Sequence, residues 1–190
     1  MLKNLKIAGV LGIIALVCAA LIAGVNILTT QMIIDNNLKA EENTCKAIFE
    51  DYSKEESELI KVDSDVIVKK ELAKNSKGEE LGYLYTVAGK NSYGAIKLMV
   101  AIKDGKVIQV EFLENGQSFA STVIEHLKAW YPSSEDSTIY LWMAPEKNPP
   151  VGELTSEDIA GINTVCGATY GAETIKELVN AALTDALGGN

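Results

Sequence analysis

The sequence predicts an α+β domain carried behind a single membrane helix. Three observations predict it. The chain opens on a long apolar run, its middle holds short Tyr-, Val- and Ile-rich runs broken by turn signals, and its C-terminus has apolar residues at helical spacing. Strands followed by segregated helices give an α+β arrangement around an antiparallel sheet.

The run from Leu5 to Leu28 contains one charge, Lys6, at its edge. As a helix it spans about 36 Å at about 1.5 Å per residue, enough to cross a hydrocarbon core. A cleaved signal peptide has a shorter apolar core, about 7–15 residues, and this run does not stop there. A lipoprotein signal is the second competitor, because Cys18 follows Ala15-Leu16-Val17. The bulky Val17 before the cysteine fits that processing poorly. Lys3 and Lys6 precede the helix, and the first charge beyond it is Asp35. Cationic flanks stay in the cytoplasm, so the domain after residue 30 is expected outside it. The expected layout is an anchor over 1–30, a juxtamembrane helix and connection over 31–61, and the main domain over 62–190.

All 17 basic residues are lysine, and all 26 acidic residues follow the anchor. With 15 lysines beyond the helix, that part carries a net charge of −11. Such a charge argues against binding nucleic acid or adsorbing on anionic lipid. Lipid contact is expected through the N-terminal helix. Cys45 and Cys166 lie outside the anchor; their spacing does not decide whether they pair. One histidine and no Cys/His cluster argue against a structural zinc site.

Along the chain, residues 29–52 read as helix, with Leu38, Cys45, Ile48 and Phe49 able to share a face. Residues 54–61 read as a charged connection. Strands are expected over 62–72, 81–88 and 95–102, with a turn at 75–80 around Gly78. Asp104-Gly105 is a strong hairpin signal, since a type I′ turn needs positive φ at both central residues. The return strand over 106–113 is expected to place Ile108, Val110 and Phe112 on one face. Phe119, Val123, Leu127 and Trp130 recur at helical spacing. A short apolar run over 139–143 precedes a loop over 144–152, which holds three of the four prolines. A helical turn is expected from Thr155. Ile175, Leu178, Val179, Ala182, Leu183 and Leu187 form one apolar stripe on a last helix over 172–187.

The segment most informative about chemistry is Asn163-Thr164-Val165-Cys166-Gly167-Ala168-Thr169-Tyr170-Gly171-Ala172. It feeds small residues into a helix N-terminus, where unpaired N–H groups and the positive dipole end favour an anion such as phosphate. Gly167 and Gly171 permit close backbone approach, and Thr169 adds a hydroxyl. The plainer alternative is a tight turn with a Ser or Thr cap.

Cys166-Gly167-Ala168-Thr169 resembles the S/T-G-A-T flavinylation motif of the FMN-binding domain family. That family includes the G-type component of Rnf ion-translocating electron-transport complexes and the C-type component of the sodium-pumping NADH:quinone reductase. The single membrane helix, the 94–112 hairpin, the loop Asn115-Gly116-Gln117-Ser118-Phe119 and the helix after the motif are similar to the Rnf component. The resemblance implies FMN joined through a phosphoester to Thr169. It also implies installation by a separate magnesium-using flavin transferase and assembly with other membrane subunits of an Rnf-like complex. The implied role is electron relay coupled to movement of Na⁺ or H⁺, without a catalytic side chain or metal of its own. Cys166, Gly167, Ala168, Tyr170, Gly171, Gln117 and Ser118 are the implied cofactor neighbours.

Three departures stand out. Asn163 replaces the family's usual Asp, Cys166 its Ser or Thr, and Gly171-Ala172 the Ser or Thr that often follows the acceptor. Two alternatives stay open: a flavoprotein of an extracellular electron-transfer system, and a structural or assembly protein without flavin. Elsewhere, Ser118 reads equally as a helix N-cap, and Tyr170 as a half-buried aromatic. Trp130, Trp142 and Met143 read as core. His126, beside Glu125 and Lys128, is expected on the surface. Lys69-Lys70 and the acidic residues of 54–58 are expected to be solvated.

Overall fold

The computed structural model describes residues 2–134, 153–164 and 167–189. The expected run over 139–143, Trp142, Met143, the loop over 144–152 and Cys166 lie outside the described residues. The chain divides into two compact units, Met1–Glu41 and Glu42–Asn190.

Most of α1 (Leu2–Ile48) makes up the first unit. Every residue from Gly9 to Ala40 is exposed, Leu38 included. Few polar groups interrupt this surface, and two of them are satisfied internally. Thr29 and Thr30 donate their hydroxyls to the carbonyls of Val25 and Asn26, each at 2.8 Å, as hydroxyls in helices commonly do. The helix is long and apolar enough to cross a membrane once.

The second unit is built on a five-stranded antiparallel meander. Its strands are β1 (Glu58–Ile60), β2 (Ile67–Lys74), β3 (Glu80–Asn91), β4 (Gly94–Lys103) and β5 (Lys106–Asn115), hydrogen-bonded in sequence order. The charged stretch over 54–61 thus contains a short edge strand, and the strand expected from residue 62 starts at Ile67. The β4–β5 turn has φ of 51° at Asp104 and 73° at Gly105, the pair of positive values a two-residue hairpin needs.

Alternation along β4 defines the two faces of the sheet. Ile96, Leu98, Val100 and Ile102 point to one core, with Tyr85 and Val87 of β3. Three helices contribute to that core: α2 (Ala120–Trp130), α3 (Ser156–Ala160) and α4 (Thr169–Ala186). Met99 and Ala101 point the other way and meet Cys45, Phe49 and Tyr52 from the end of α1 and the segment after it. The Cys45 sulfur lies 3.8 Å from that of Met99.

On β5 the expected face breaks. Register shifts fall between Ala101/Ile102 and between Lys97/Leu98, where Ile108 and Leu113 are the extra residues on β5. A bulge adds one residue and reverses the alternation beyond it. Val107, Val110 and Phe112 therefore share the helix-side core, while Ile108 and Leu113 pack on the opposite one.

Four further expectations are corrected by packing. His126 is fully buried; it lies three residues from Val123 and four from Trp130, so it shares their face rather than that of its sequence neighbours. Lys70 is not a solvated surface charge: its ammonium sits 2.6 Å from the Asp185 carboxylate and over the rings of Tyr83 and Tyr85. Lys69 pairs at 2.8 Å with Glu71, which is itself buried. Leu187 ends the stripe of α4 as its C-cap and is exposed. The rest of that stripe, from Ile175 to Leu183, is buried.

Before α4, Thr155 and Asp158 form a capping box that starts α3. The Lys176 ammonium then reaches back from α4 to the carbonyls of Ala160 and Ile162, at 2.8 and 3.0 Å. The chain entering the motif is thereby fixed against the helix that follows it.

Candidate functional site

The motif residues and the 115–119 loop meet at a cavity of about 190 Å³. Gly167, Ala168, Thr169, Tyr170 and Gly171 form one wall, and Gln117, Phe119 and Val123 another. Tyr93, from the turn between β3 and β4, closes a third side.

Helix α4 begins at Thr169, three residues before the sequence predicts. Its N-cap is Ala168, which makes no side-chain capping hydrogen bond. The plain capped-turn alternative is therefore not realised here. A helix leaves its first N–H groups without intrahelical partners, and in this one the residues of the first turn, Thr169, Tyr170 and Gly171, line the cavity. Gly167 approaches that turn with φ of 76°, a value costly for other residues. Gly171 allows α4 to lie on α2: a Cβ there would stand 2.5 Å from a methyl of Val123.

Gln117 is buried, and its amide donates to the carbonyl of Gly94 at 2.6 Å. Its amide oxygen is thereby turned toward Gly171, 3.4 Å from where a Cβ would sit. Ser118 is neither a cap nor part of the lining. The N-cap of α2 is Phe119, and the Ser118 hydroxyl donates instead to the carbonyl of Tyr93 at 3.3 Å.

Three aromatic rings border the cavity. Tyr93 lies 5.5 Å from Tyr170 at 35° between planes, and 6.3 Å from Phe119 at 56°. All three are exposed, Tyr170 and Phe119 by more than half, so Tyr170 is not the half-buried aromatic that its sequence also allows. Exposed rings converging on a cavity offer a surface for a planar aromatic group. An uncapped helix N-terminus beside them suits a phosphate. The two together fit a flavin mononucleotide, whose ring and phosphate make these two demands.

Sequence reasoning missed Tyr93, Val123 and Asn91. The Asn91 amide donates to the carbonyl of Tyr170 and to the hydroxyl of Thr174, both at 3.0 Å, joining the end of β3 to the first turn of α4. Asn91-Ser92-Tyr93-Gly94 carries a turn signal, but nothing local in it points to α4. A second, wider groove of about 510 Å³ runs between α3 and α4 and includes Thr164, Glu173 and Lys176. It holds no residue of the motif from Gly167 to Gly171.

His126 stands behind the cavity on α2 rather than in it. Among the described residues neither ring nitrogen has a hydrogen-bond partner, nor does the buried hydroxyl of Tyr131. Burial holds the imidazole down to a pKa of about 4, so it is neutral at pH 7. Among the described residues there is no cluster of metal-ligating side chains.

Two family models match the chain. The RnfG N-terminal region matches residues 1–48, and the FMN-binding domain matches residues 92–184. No curated protein matches it. The second match runs from the β3–β4 turn into α4 and contains every residue bordering the cavity. The chain therefore belongs to the RnfG-like proteins: it is an FMN-binding subunit of an Rnf-type complex, with an N-terminal helix suited to a single-pass membrane anchor.

Proposed function

We propose that Thr169 carries FMN through a phosphoester in this cavity, and that the chain serves as an electron relay in an ion-translocating membrane complex. The observation that carries the proposal is the position of Thr169. Thr169 is the first residue of α4, behind an N-cap alanine with no side-chain capping bond, and it lines a cavity bordered by three aromatic rings. A phosphate esterified there lies at the positive end of α4, where oriented N–H groups stabilise its charge.

The chain's residues divide the work of holding the cofactor. Gly167, Ala168 and Gly171 keep the approach to Thr169 free of side-chain bulk. Gln117 presents a fixed amide, and Ser118 braces the Tyr93 carbonyl. Tyr93, Phe119 and Tyr170 offer ring faces. Cys166 takes the first place of the motif. Bound FMN supplies one- and two-electron chemistry for exchange with redox carriers in partner subunits. Covalent attachment keeps the cofactor on a domain that faces away from the cytoplasm, where a dissociated flavin would be lost by diffusion.

Lys3 and Lys6 place the N-terminus in the cytoplasm. Residues 1–30 then serve as the anchor in contact with lipid, 31–61 lead out of it, and 62–190 hold the flavin. A flavin transferase loads Thr169 from FAD: the threonine oxygen attacks the FMN-side phosphorus, the pyrophosphate bond breaks and AMP leaves. The electron flow drives Na⁺ or H⁺ across the membrane.

Intact-mass measurement of the full chain, co-expressed with its flavin transferase, tests the attachment. The wild type should carry one added FMN, less the water lost in forming the ester, and Thr169→Val none. An unmodified wild-type mass would sink the covalent assignment. Protease added to intact spheroplasts should digest the domain beyond the anchor; protection would reverse the orientation.

A further inference from the structure

We infer that Asn91 is a positioning residue for the flavin ring: it ties the β3–β4 turn to the first turn of α4 and so sets the gap between Tyr93 and Tyr170. The inference rests on the reading that this cavity holds FMN.

The side-chain amide of Asn91 bonds in two directions. Its oxygen accepts from the backbone N–H of Tyr93 at 2.8 Å, which fixes the turn that presents the Tyr93 ring. The amide nitrogen points the other way, to the Tyr170 carbonyl and the Thr174 hydroxyl at 3.0 Å each. Thr174 returns the link by donating to the same Tyr170 carbonyl at 2.8 Å. One planar amide thus bonds to the residues carrying both rings. Their centroids stand 5.5 Å apart.

Burial does not replace this link. Tyr93 and Tyr170 are exposed, so packing in a core does not hold their rings in place. The backbone around Tyr93 is braced from the α2 side, where its carbonyl accepts from the Ser118 N–H at 3.0 Å. On the α4 side the brace is Asn91. Losing it frees the Tyr93–Tyr170 gap while leaving both cores untouched. The population of the binding-competent spacing then falls, and apparent affinity falls by the same fraction. Each neutral hydrogen bond lost shifts such a balance by about two- to tenfold.

The test is a titration of the full chain, purified in detergent without flavin, with free FMN. Flavin fluorescence and visible circular dichroism are followed, since tyrosine rings against an isoalloxazine quench the first and induce the second. Asn91→Ala and Asn91→Asp are compared with wild type. Asn91→Asp keeps the acceptor for the Tyr93 N–H and removes only the donors to α4. Both variants should bind FMN about tenfold more weakly, with brighter bound flavin and a smaller visible dichroism. The lost bonds should lower the thermal midpoint by a few degrees, and titration at a temperature where every variant is fully folded separates positioning from folding. Equal affinity and equal spectra in wild type and Asn91→Ala would overturn the inference. So would an effect in Asn91→Asp alone, which would be one of charge. Wild type that fails to bind FMN, or binds it unaffected by Thr169→Val and Tyr93→Leu together, would overturn the placement of FMN in this cavity and Asn91's role with it. Normal loading of Asn91→Ala at Thr169 by mass, with wild-type spectra, would overturn Asn91's role alone.

Discussion

Gly171→Ala sets two effects of opposite sign against each other at the contact between α2 and α4. Alanine is the better helix former by about 1 kcal/mol, and it also reduces the freedom of the unfolded chain. On those grounds alone the substitution stabilises. In this fold, however, the new Cβ would lie 2.5 Å from Cγ2 of Val123, 3.3 Å from Cγ1, and 3.4 Å from the Gln117 side-chain oxygen. Val123 is fully buried and β-branched on a helix, so it has essentially one rotamer and little means of yielding. Overpacking of this kind costs about 1–3 kcal/mol. The net expectation is a loss of about 1 kcal/mol, or a fall of about 2–4 °C in thermal midpoint for a domain of this size. The assay is a four-way comparison of wild type, Gly171→Ala, Val123→Ala and the double variant by thermal unfolding in detergent. Removing the Val123 methyls opens the space, so in that background Gly171→Ala should raise the midpoint. A reversal of sign is the expected coupling. An equal fall in both backgrounds, or a rise in wild type, would refute the steric account.

Three more predictions concern a group behind the cavity and one that fastens α4. The imidazole of His126 has an ordinary pKa of about 6.5 in the unfolded chain and about 4 in the fold. Between those values the unfolded state binds the extra proton, so stability falls as pH drops, by about 1.4 kcal/mol per unit at most. Denaturant unfolding from pH 7 to 4.5 should show that slope, and His126→Leu should flatten it; parallel slopes would exclude the assignment. At pH 7, His126→Leu should also cost little or even stabilise in the same unfolding assay, because it removes two buried nitrogens that have no partner among the described residues. Burial raises the Asp185 carboxyl, and the bonds from Lys70 and Tyr85 outweigh it and hold the pKa below its usual value. Asp185→Asn should therefore cost about 1–2 kcal/mol at neutral pH, with the deficit in denaturant unfolding narrowing as acid protonates the wild-type carboxylate.

Much of the fold is legible in the sequence because it is written in local patterns. Asp104-Gly105 carries its own turn chemistry, and the strands on either side of it alternate. The stripe from Ile175 to Leu183 names its buried face. What is not legible depends on partners distant in sequence. Ile108 reads as part of an alternating row, and only its pairing with β4 shows that it is the extra residue of a bulge. The polarity of Glu125 and Lys128 suggests a surface position for His126, but adjacent helix residues do not share a face. The lysines at 69 and 70 look like surface charge until Glu71 and Asp185 are seen beside them.

The site shows the same division, with a sharper consequence. Residues 167–171 are legible as a phosphate-favouring helix entry because that chemistry belongs to one continuous segment. The aromatic border is not, because it takes one ring each from the β3–β4 turn, the start of α2 and the first turn of α4. Small residues in the motif are therefore used twice. Gly167, with φ of 76°, turns the chain into the first turn of α4, and the missing Cβ of Gly171 lets α4 close on Val123 with Tyr170 beside Tyr93. Substitution there should disturb ring placement and helix packing together, whereas loss of the Thr169 hydroxyl should remove the ester alone. The two kinds of variant are separable by mass and by thermal midpoint. Their separation distinguishes a flavin cavity built by the fold from a modified threonine that happens to lie beside three rings.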